Sequence, residues 1–167
     1  MARVLGDTLV VNRSHKAGEE QIVNLVELFN QNPNRIIVVT GTVGADGAPN
    51  TAPVSLIYAK DPKTLLVATL RNTTTTTNLR RDGRVSLELF QEGDLVIGIQ
   101  GTMRLIKEPM EFSDAMALWE MQVQKVKLDT SPAQRVTQGP ASTPRNEKAA
   151  GFEKAGIAEL VTEAQKG

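Results

Sequence analysis

The sequence predicts a mainly β (α+β) fold, a small antiparallel barrel with flanking helices. Three observations carry this. Short β-branched or alternating apolar stretches recur closely through the first two thirds of the chain. Turn signals separate them, at Asp46-Gly47, Asp61-Pro62-Lys63 and Gly93-Asp94. Strands this short and closely spaced favour closure, because a barrel removes exposed edges. With 167 residues the chain suits one domain over 1–167, long enough for a sizeable core. The barrel core falls at 34–107.

The elements follow in order. Val4–Asn12 is apolar enough for an edge strand or arm. Ser14 is placed to cap a helix over Ala17–Gln31, where Ile22, Leu25, Val26 and Phe29 recur at helical spacing. Asn32, Pro33 and Asn34 stop it. Ile36–Val43 is a β-branched strand, and Asp46-Gly47 turns the chain into Thr51–Ala59. There Ala52, Val54, Leu56 and Tyr58 share a face. Leu65–Leu70 is the next strand. Thr73–Asp82 reads as a short helix opening on threonines. Val85–Phe90 alternates, with Val85, Leu87 and Leu89 on one side. Leu95–Ile106 is a long strand in which Gly98 and Gly101 suggest bulges or bends. Pro109 begins a predicted helix over 109–127, whose apolar stripe is Phe112, Ala115, Met116, Trp119, Val123 and Val126. The 129–146 segment is rich in Ser, Thr, Pro and Gly and reads as a loop or arm. A weaker amphipathic helix over 150–165 carries Phe152, Ile157, Leu160, Val161 and Ala164.

Composition narrows the chemistry. The chain has no cysteine, which excludes disulfides, thiolate metal sites and cysteine nucleophiles and suits a reducing cytosol. His15 is the only histidine, so a histidine metal site or triad lacks partners, and His15 is expected to be a surface residue without catalytic work. The formal net charge is zero and aromatics are few, so the Arg80, Arg81 and Arg84 cluster is read as a solvated helix end and not a nucleic-acid face. The start has no secretory pattern and no run is long enough to span a bilayer, so a cytoplasmic protein is expected.

Thr73–Thr77 stands apart. Threonine is a mediocre helix former, so five in a row are not explained by propensity. At a helix start, threonine hydroxyls can satisfy free amides, and the same hydroxyls and amides can hold a phosphate.

The order of parts gives this turn a context. A β-rich Asp-Gly hairpin, Val39–Pro49, precedes the PNTAPV run. A strand ending in Leu70-Arg71, the threonine turn, the stretch Asn78–Leu87 and a late Ile99-Gln100-Gly101-Thr102 follow. Over roughly Arg35–Lys107 this resembles the pyridoxamine 5'-phosphate oxidase-like family of FMN-binding split barrels. The resemblance implies a small antiparallel split barrel working as a homodimer, with FMN at the subunit interface. It implies that Ala52, Pro53, Val54, Ser55 and Leu56 lie against the flavin ring. Thr69, Leu70 and Arg71 would lie beside the ribityl chain and phosphate, Thr74, Thr75 and Thr76 at the phosphate, with Asn78 orienting that turn. Where relatives carry a basic residue in the phosphate turn, this chain carries threonine. Arg71, or arginines of the helix or the partner chain, is then expected to balance the dianion. The pyridoxamine phosphate oxidases proper carry a basic substrate signature near the C-terminus that LVTEAQKG lacks, so vitamin B6 oxidation is not expected. Some relatives take a deazaflavin or haem; haem is disfavoured without cysteine and with one histidine.

A flavin carries the redox chemistry itself, which fits a chain with no recognisable acid, base or nucleophile and no catalytic residue to name. The leading expectation is an FMN-dependent oxidoreductase taking a small-molecule substrate and a donor such as a reduced nicotinamide. A flavin protein for electron transfer or storage, and a cofactor-free barrel serving as an interaction module, are the alternatives.

Overall fold

The computed structural model of the chain describes residues 3–5, 8–12, 20–31 and 35–167. His15, the Ser14 cap and the helix stop at 32–34 lie outside them.

Strands β1 (Arg3–Leu5), β2 (Thr8–Asn12) and β3 (Glu20–Val23) form a three-stranded antiparallel sheet. Two paired strands thus replace the single edge strand expected at Val4–Asn12. The helix expected over Ala17–Gln31 is shorter, because Glu20–Val23 pairs with β2 and α1 covers only Leu25–Asn30. Asn24 sets that boundary. Its backbone is extended and its side chain accepts a hydrogen bond from the Glu27 amide at 3.0 Å, so the helix begins after it.

The remaining elements are β4 (Val38–Val43), β5 (Pro49–Val54), β6 (Ile57–Asp61), β7 (Thr64–Leu70), α2 (Thr74–Arg81), β8 (Arg84–Gln91), β9 (Leu95–Lys107), β10 (Met116–Leu128) and α3 (Glu147–Ala164). Seven strands form one antiparallel sheet in the order β5-β4-β8-β9-β10-β7-β6. The strand expected over Thr51–Ala59 is two strands, broken at Ser55-Leu56. That break shapes the molecule. In a flat sheet β5 and β6 would stand about 29 Å apart, six strand spacings. Yet only Ser55 and Leu56 join Val54 to Ile57, a reach of about 11 Å at most. The sheet must therefore roll until its two edges meet. The Ala68 amide donates to the Leu56 carbonyl at 2.9 Å and ties the link to β7.

Inside the roll lies the main core, where Val38, Leu65, Val67, Leu87, Leu89, Ile97, Ile99, Trp119 and Met121 are buried together. The expected alternation of Val85, Leu87 and Leu89 holds; all three face this core. A second cluster of Leu56, Leu66, Ala68, Met110, Met116, Leu118 and Leu160 sits under α3. Both clusters explain why the helix expected over 109–127 is strand β10. Its residues Met116 and Leu118 enter one cluster, and Trp119, Met121 and Val123 the other. A strand buried on both faces reads as a near-continuous apolar run, which blurs its alternation and imitates a helical stripe. Pairing with β7 on one side and β9 on the other satisfies its backbone. The sheet consequently extends beyond the 34–107 core.

The 129–146 segment contains no helix or strand and is largely exposed. It is tied to the β8–β9 turn, where the Val136 amide donates to Asp94 Oδ1 at 3.0 Å and the Asp94 amide to the Val136 carbonyl at 3.1 Å. The expected C-terminal helix is α3, starting slightly earlier. No helix among the described residues is long and apolar enough to cross a membrane.

The ladder of β9 and β10 shifts register between Val123 and Lys125, opposite Gly101 and Gln100, so the irregularity suggested by Gly101 lies on its partner strand. A Cβ at Gly101 would stand 2.1 Å from the Gln122 carbonyl oxygen, a backbone atom that no side-chain rotation can move. Gly101→Ala should therefore destabilise the fold by roughly 1–3 kcal/mol, read as a lowered urea midpoint. An unchanged midpoint would mean the two backbones are not in this close register.

Candidate functional site

Rolling the sheet leaves a cleft beside the seam. Strand β7 pairs with β6 only as far as Val67, so Ala68, Thr69 and Leu70 continue past it toward α2. The cleft that opens there measures about 710 Å³. One wall is β5 and the break after it: Ala52, Pro53, Val54, Ser55 and Leu56. A second is the free end of β7 with Thr73 and Thr75 of the α2 start. Ser142–Asn146 and the first turns of α3 complete it, through Lys148, Ala149, Phe152 and Glu153.

Eight of the expected site residues meet here: Ala52, Pro53, Val54, Ser55, Leu56, Thr69, Leu70 and Thr75. Four do not line the cleft: Arg71, Thr74, Thr76 and Asn78. Thr74 is exposed. Thr76 is fully buried and holds the turn together. Trp119 Nε1 donates to Thr69 Oγ1 at 2.8 Å, Thr69 Oγ1 lies 2.7 Å from Thr76 Oγ1, and Thr76 Oγ1 donates to the Leu70 carbonyl at 2.7 Å. Each hydroxyl has one proton, so Thr69 donates to Thr76 in this chain. Asn78 is also internal, donating to Thr42 Oγ1 at 3.1 Å. Thr73 is the N-cap, accepting from the Thr76 amide at 3.3 Å.

Thr75 differs. Its hydroxyl oxygen accepts from Asn50 Nδ2 at 3.3 Å, which leaves its own proton free to donate into the cleft. The first amides of α2 have no helical partner, and the helix places partial positive charge there.

Arg71 is directed elsewhere. Its Nε donates to Glu108 Oε1 at 2.8 Å and its Nη1 to the Asp114 carbonyl at 2.7 Å. Arg80 binds the same carboxylate. Together Arg80 and Arg71 hold the Glu108 carboxyl below the usual carboxylate range. The other cluster arginines are partnered too: Arg84 pairs with Asp82 at 2.6 Å, and Arg81 donates to the Val43 carbonyl. The Arg84 side-chain hydrogen bond lowers the Asp82 pKa to about 2.

The cations of the cleft come instead from a region that sequence reasoning passed over. Arg145 and Lys148 line it and form no ion pair among the described residues. The carboxylate of the cleft, Glu153, is paired with Arg35 at 3.3 Å. A signal was present. Asn146 caps α3, its side chain accepting from the Ala149 amide at 2.9 Å, and two cations flank a helix start that favours anions.

Comparison with known proteins identifies the family and the fold. The model of the pyridoxamine 5'-phosphate oxidase family matches residues 24–147, and the chain belongs to that family. No curated protein matches the sequence. Among solved structures, tagged HupZ of Group A Streptococcus is similar at 18% identity and a TM-score of 0.54, over 71% of this chain and 96% of that one. A candidate pyridoxamine 5'-phosphate oxidase of Listeria innocua is similar at 14% identity and a TM-score of 0.51, over 64% of this chain and 96% of that one. An FMN-binding protein of Syntrophomonas wolfei subsp. wolfei is similar at 17% identity and a TM-score of 0.51, over 64% of this chain and 84% of that one. At these identities the likeness is one of fold, and that fold is the antiparallel split barrel.

Two outcomes follow from the internal bonds. Thr76→Val strands the Thr69 hydroxyl and should cost about 1–3 kcal/mol of stability, whereas Thr74→Val at the exposed neighbour should stay within ~0.5 kcal/mol by denaturant unfolding. Equal effects would break the assignment. For Glu108 the folded pKa is depressed, so its stabilisation is complete above the ordinary carboxylate value of 4.5 and is lost as pH falls below it. Glu108→Gln should flatten the stability profile below about pH 5 relative to the parent. An identical acid limb in both proteins would contradict this.

Proposed function

We propose that the cleft binds FMN and that the chain is an FMN-dependent oxidoreductase. The observation that carries the proposal is the convergence on one cleft of 52–56, Thr69-Leu70 and the Thr73/Thr75 helix start, three stretches separated in sequence. The volume is that of a small-molecule or cofactor site. Its character suits the molecule from end to end. Val54 and Leu56 give an apolar wall for a ring system, with the peptide groups of the β5–β6 break beside it. Thr75 and the α2 amides give donors for a phosphate. The name of the Syntrophomonas wolfei protein, an FMN-binding protein, supports the same reading.

When bound, a flavin supplies hydride and electron transfer. The chain's own residues then orient the ring along β5 and hold the phosphate. The side chains lining the cleft include no histidine or cysteine, and none is needed for that division of labour. A small-molecule acceptor and a donor such as a reduced nicotinamide complete the reaction. A second copy of the chain covering the open side of the cofactor belongs to the same reading, with light scattering as its check. The apolar run Phe112–Val126 does not itself call for that cover, since β10 is buried in its own sheet.

The absorption spectrum of purified protein should be that of a flavin, and mass spectrometry of the released molecule should give FMN. A colourless protein that takes up no added FMN would overturn the proposal; release of a deazaflavin would replace the cofactor. Thr75→Val keeps shape and loses the free hydroxyl proton. A hydrogen bond to a charged group contributes about 1.5–3 kcal/mol, so FMN affinity should fall roughly ten- to a hundredfold. Riboflavin, without the phosphate, should bind parent and variant alike. Equal loss of both ligands would place Thr75 at the ring or in the fold.

A further inference from the structure

We infer that Arg145 and Lys148, on the arm and the first turn of α3, supply the positive charge that meets the phosphate of the flavin in the cleft; this rests on the FMN reading above. Three observations converge on them. First, the arginine nearest the threonine turn is already occupied. Arg71 gives Nε to Glu108 and Nη1 to the Asp114 carbonyl, and Arg80 shares the same carboxylate. Neither arginine lines the cleft. A phosphate near α2 thus finds hydroxyl and amide donors there, but both nearby arginines are already paired.

Second, the charged side chains lining the cleft do not cancel. Arg145 and Lys148 line it with no carboxylate partner among the described residues, while Glu153 is neutralised by Arg35 at 3.3 Å. The cleft walls therefore carry an excess of positive charge although the whole chain is neutral. Third, both residues sit where local rules oppose them. Arg145 precedes the Asn146 cap, and Lys148 lies in the first helical turn, where the dipole repels cations. Glu147 in the same turn offsets part of that repulsion but does not line the cleft, and choices that break a local rule are expected at functional positions. An anion in the cleft would meet both cations at once.

The arrangement also gives the 129–146 segment a task. It is fixed midway by the Val136–Asp94 hydrogen bonds and at its far end by α3, which packs through Leu160 and Ile157. Between these anchors Ser142–Asn146 runs along the cleft and delivers Arg145 to it.

The test is a comparison of FMN and riboflavin affinities by flavin fluorescence for the parent, for an Arg145→Gln/Lys148→Gln double variant, and for the charge-keeping Arg145→Lys/Lys148→Arg pair. Both side chains are exposed, and thermal melting checks that each variant folds. The double variant should lose roughly ten- to a hundredfold in FMN affinity with riboflavin affinity unchanged, and added salt should weaken FMN binding to the parent more than to the variant. The charge-keeping pair should retain most of the preference for FMN. If the parent binds FMN and the double variant binds it as tightly, the inference is wrong while the FMN reading stands. If FMN and riboflavin weaken together, these residues touch the ring or shape the cleft, and the inference is again wrong. If the parent binds neither flavin, the FMN reading fails and takes this inference with it.

Discussion

The two-residue link between Val54 and Ile57 is the constraint on which the rest depends. It joins the outermost strands of a seven-stranded sheet, and so the sheet cannot lie flat. Rolling buries Leu87, Leu89, Ile97, Ile99 and Trp119 within one core and leaves a seam between β5 and β6, which do not pair, where β7 also runs past the end of β6. Edges of this kind invite pairing with other chains unless they are covered or occupied. Part of β6 is covered by α1, where the Asn30 amide both donates to the Ala59 carbonyl and accepts from its N–H at 2.8 Å. The stretch beyond Val67 is left to the cleft.

The site is built from that same incompleteness. The Leu56 carbonyl at the break is taken by the Ala68 amide, and the Leu70 carbonyl at the end of β7 by the Thr73 and Thr76 hydroxyls in place of a strand. The threonine turn is then held rigid from behind. Trp119 reaches from the core to Thr69, Thr69 to Thr76, and Thr76 to the Leu70 carbonyl. A buried chain of this kind fixes geometry because each member left unpaired would cost about 1–3 kcal/mol. The run of threonines thus divides its labour. Thr73 and Thr76 hold the turn, and Thr75 faces the cleft with a proton to spare.

Much of this was legible in the sequence. The hairpin at Asp46-Gly47, the alternation of Val85, Leu87 and Leu89, and the helix opening at Thr73 are local signals, and local geometry obeys them. Family membership rested on the order of such signals, not on any one of them. Other features failed for physical reasons. The Phe112–Val126 stripe looked helical because β10 is apolar on both faces, and only its two neighbouring strands reveal it as central. Thr51–Ala59 looked like one strand because alternation continues across a bend that the sheet's closure imposes. Arg71 looked free because Glu108 lies far along the chain, and an ion pair between distant residues leaves no trace in spacing. Arg145 was hidden in a segment whose composition announced only a loop, and Lys148 fell between that segment and the expected start of the C-terminal helix.

The central claim is that the seam cleft, and no other surface, receives the flavin. Amide chemical shifts followed by NMR during an FMN titration test it most directly. The largest changes should fall on Ala52, Val54, Ser55, Leu56, Thr69, Leu70 and the Thr74–Thr75 amides, with Arg145 and Lys148 beside them, while β1, β2 and β3 stay unmoved. Changes concentrated instead in the smaller cleft of Thr42, Asn50, Ser86 and Gln100 would place the ligand at the other end of β5 and contradict the claim.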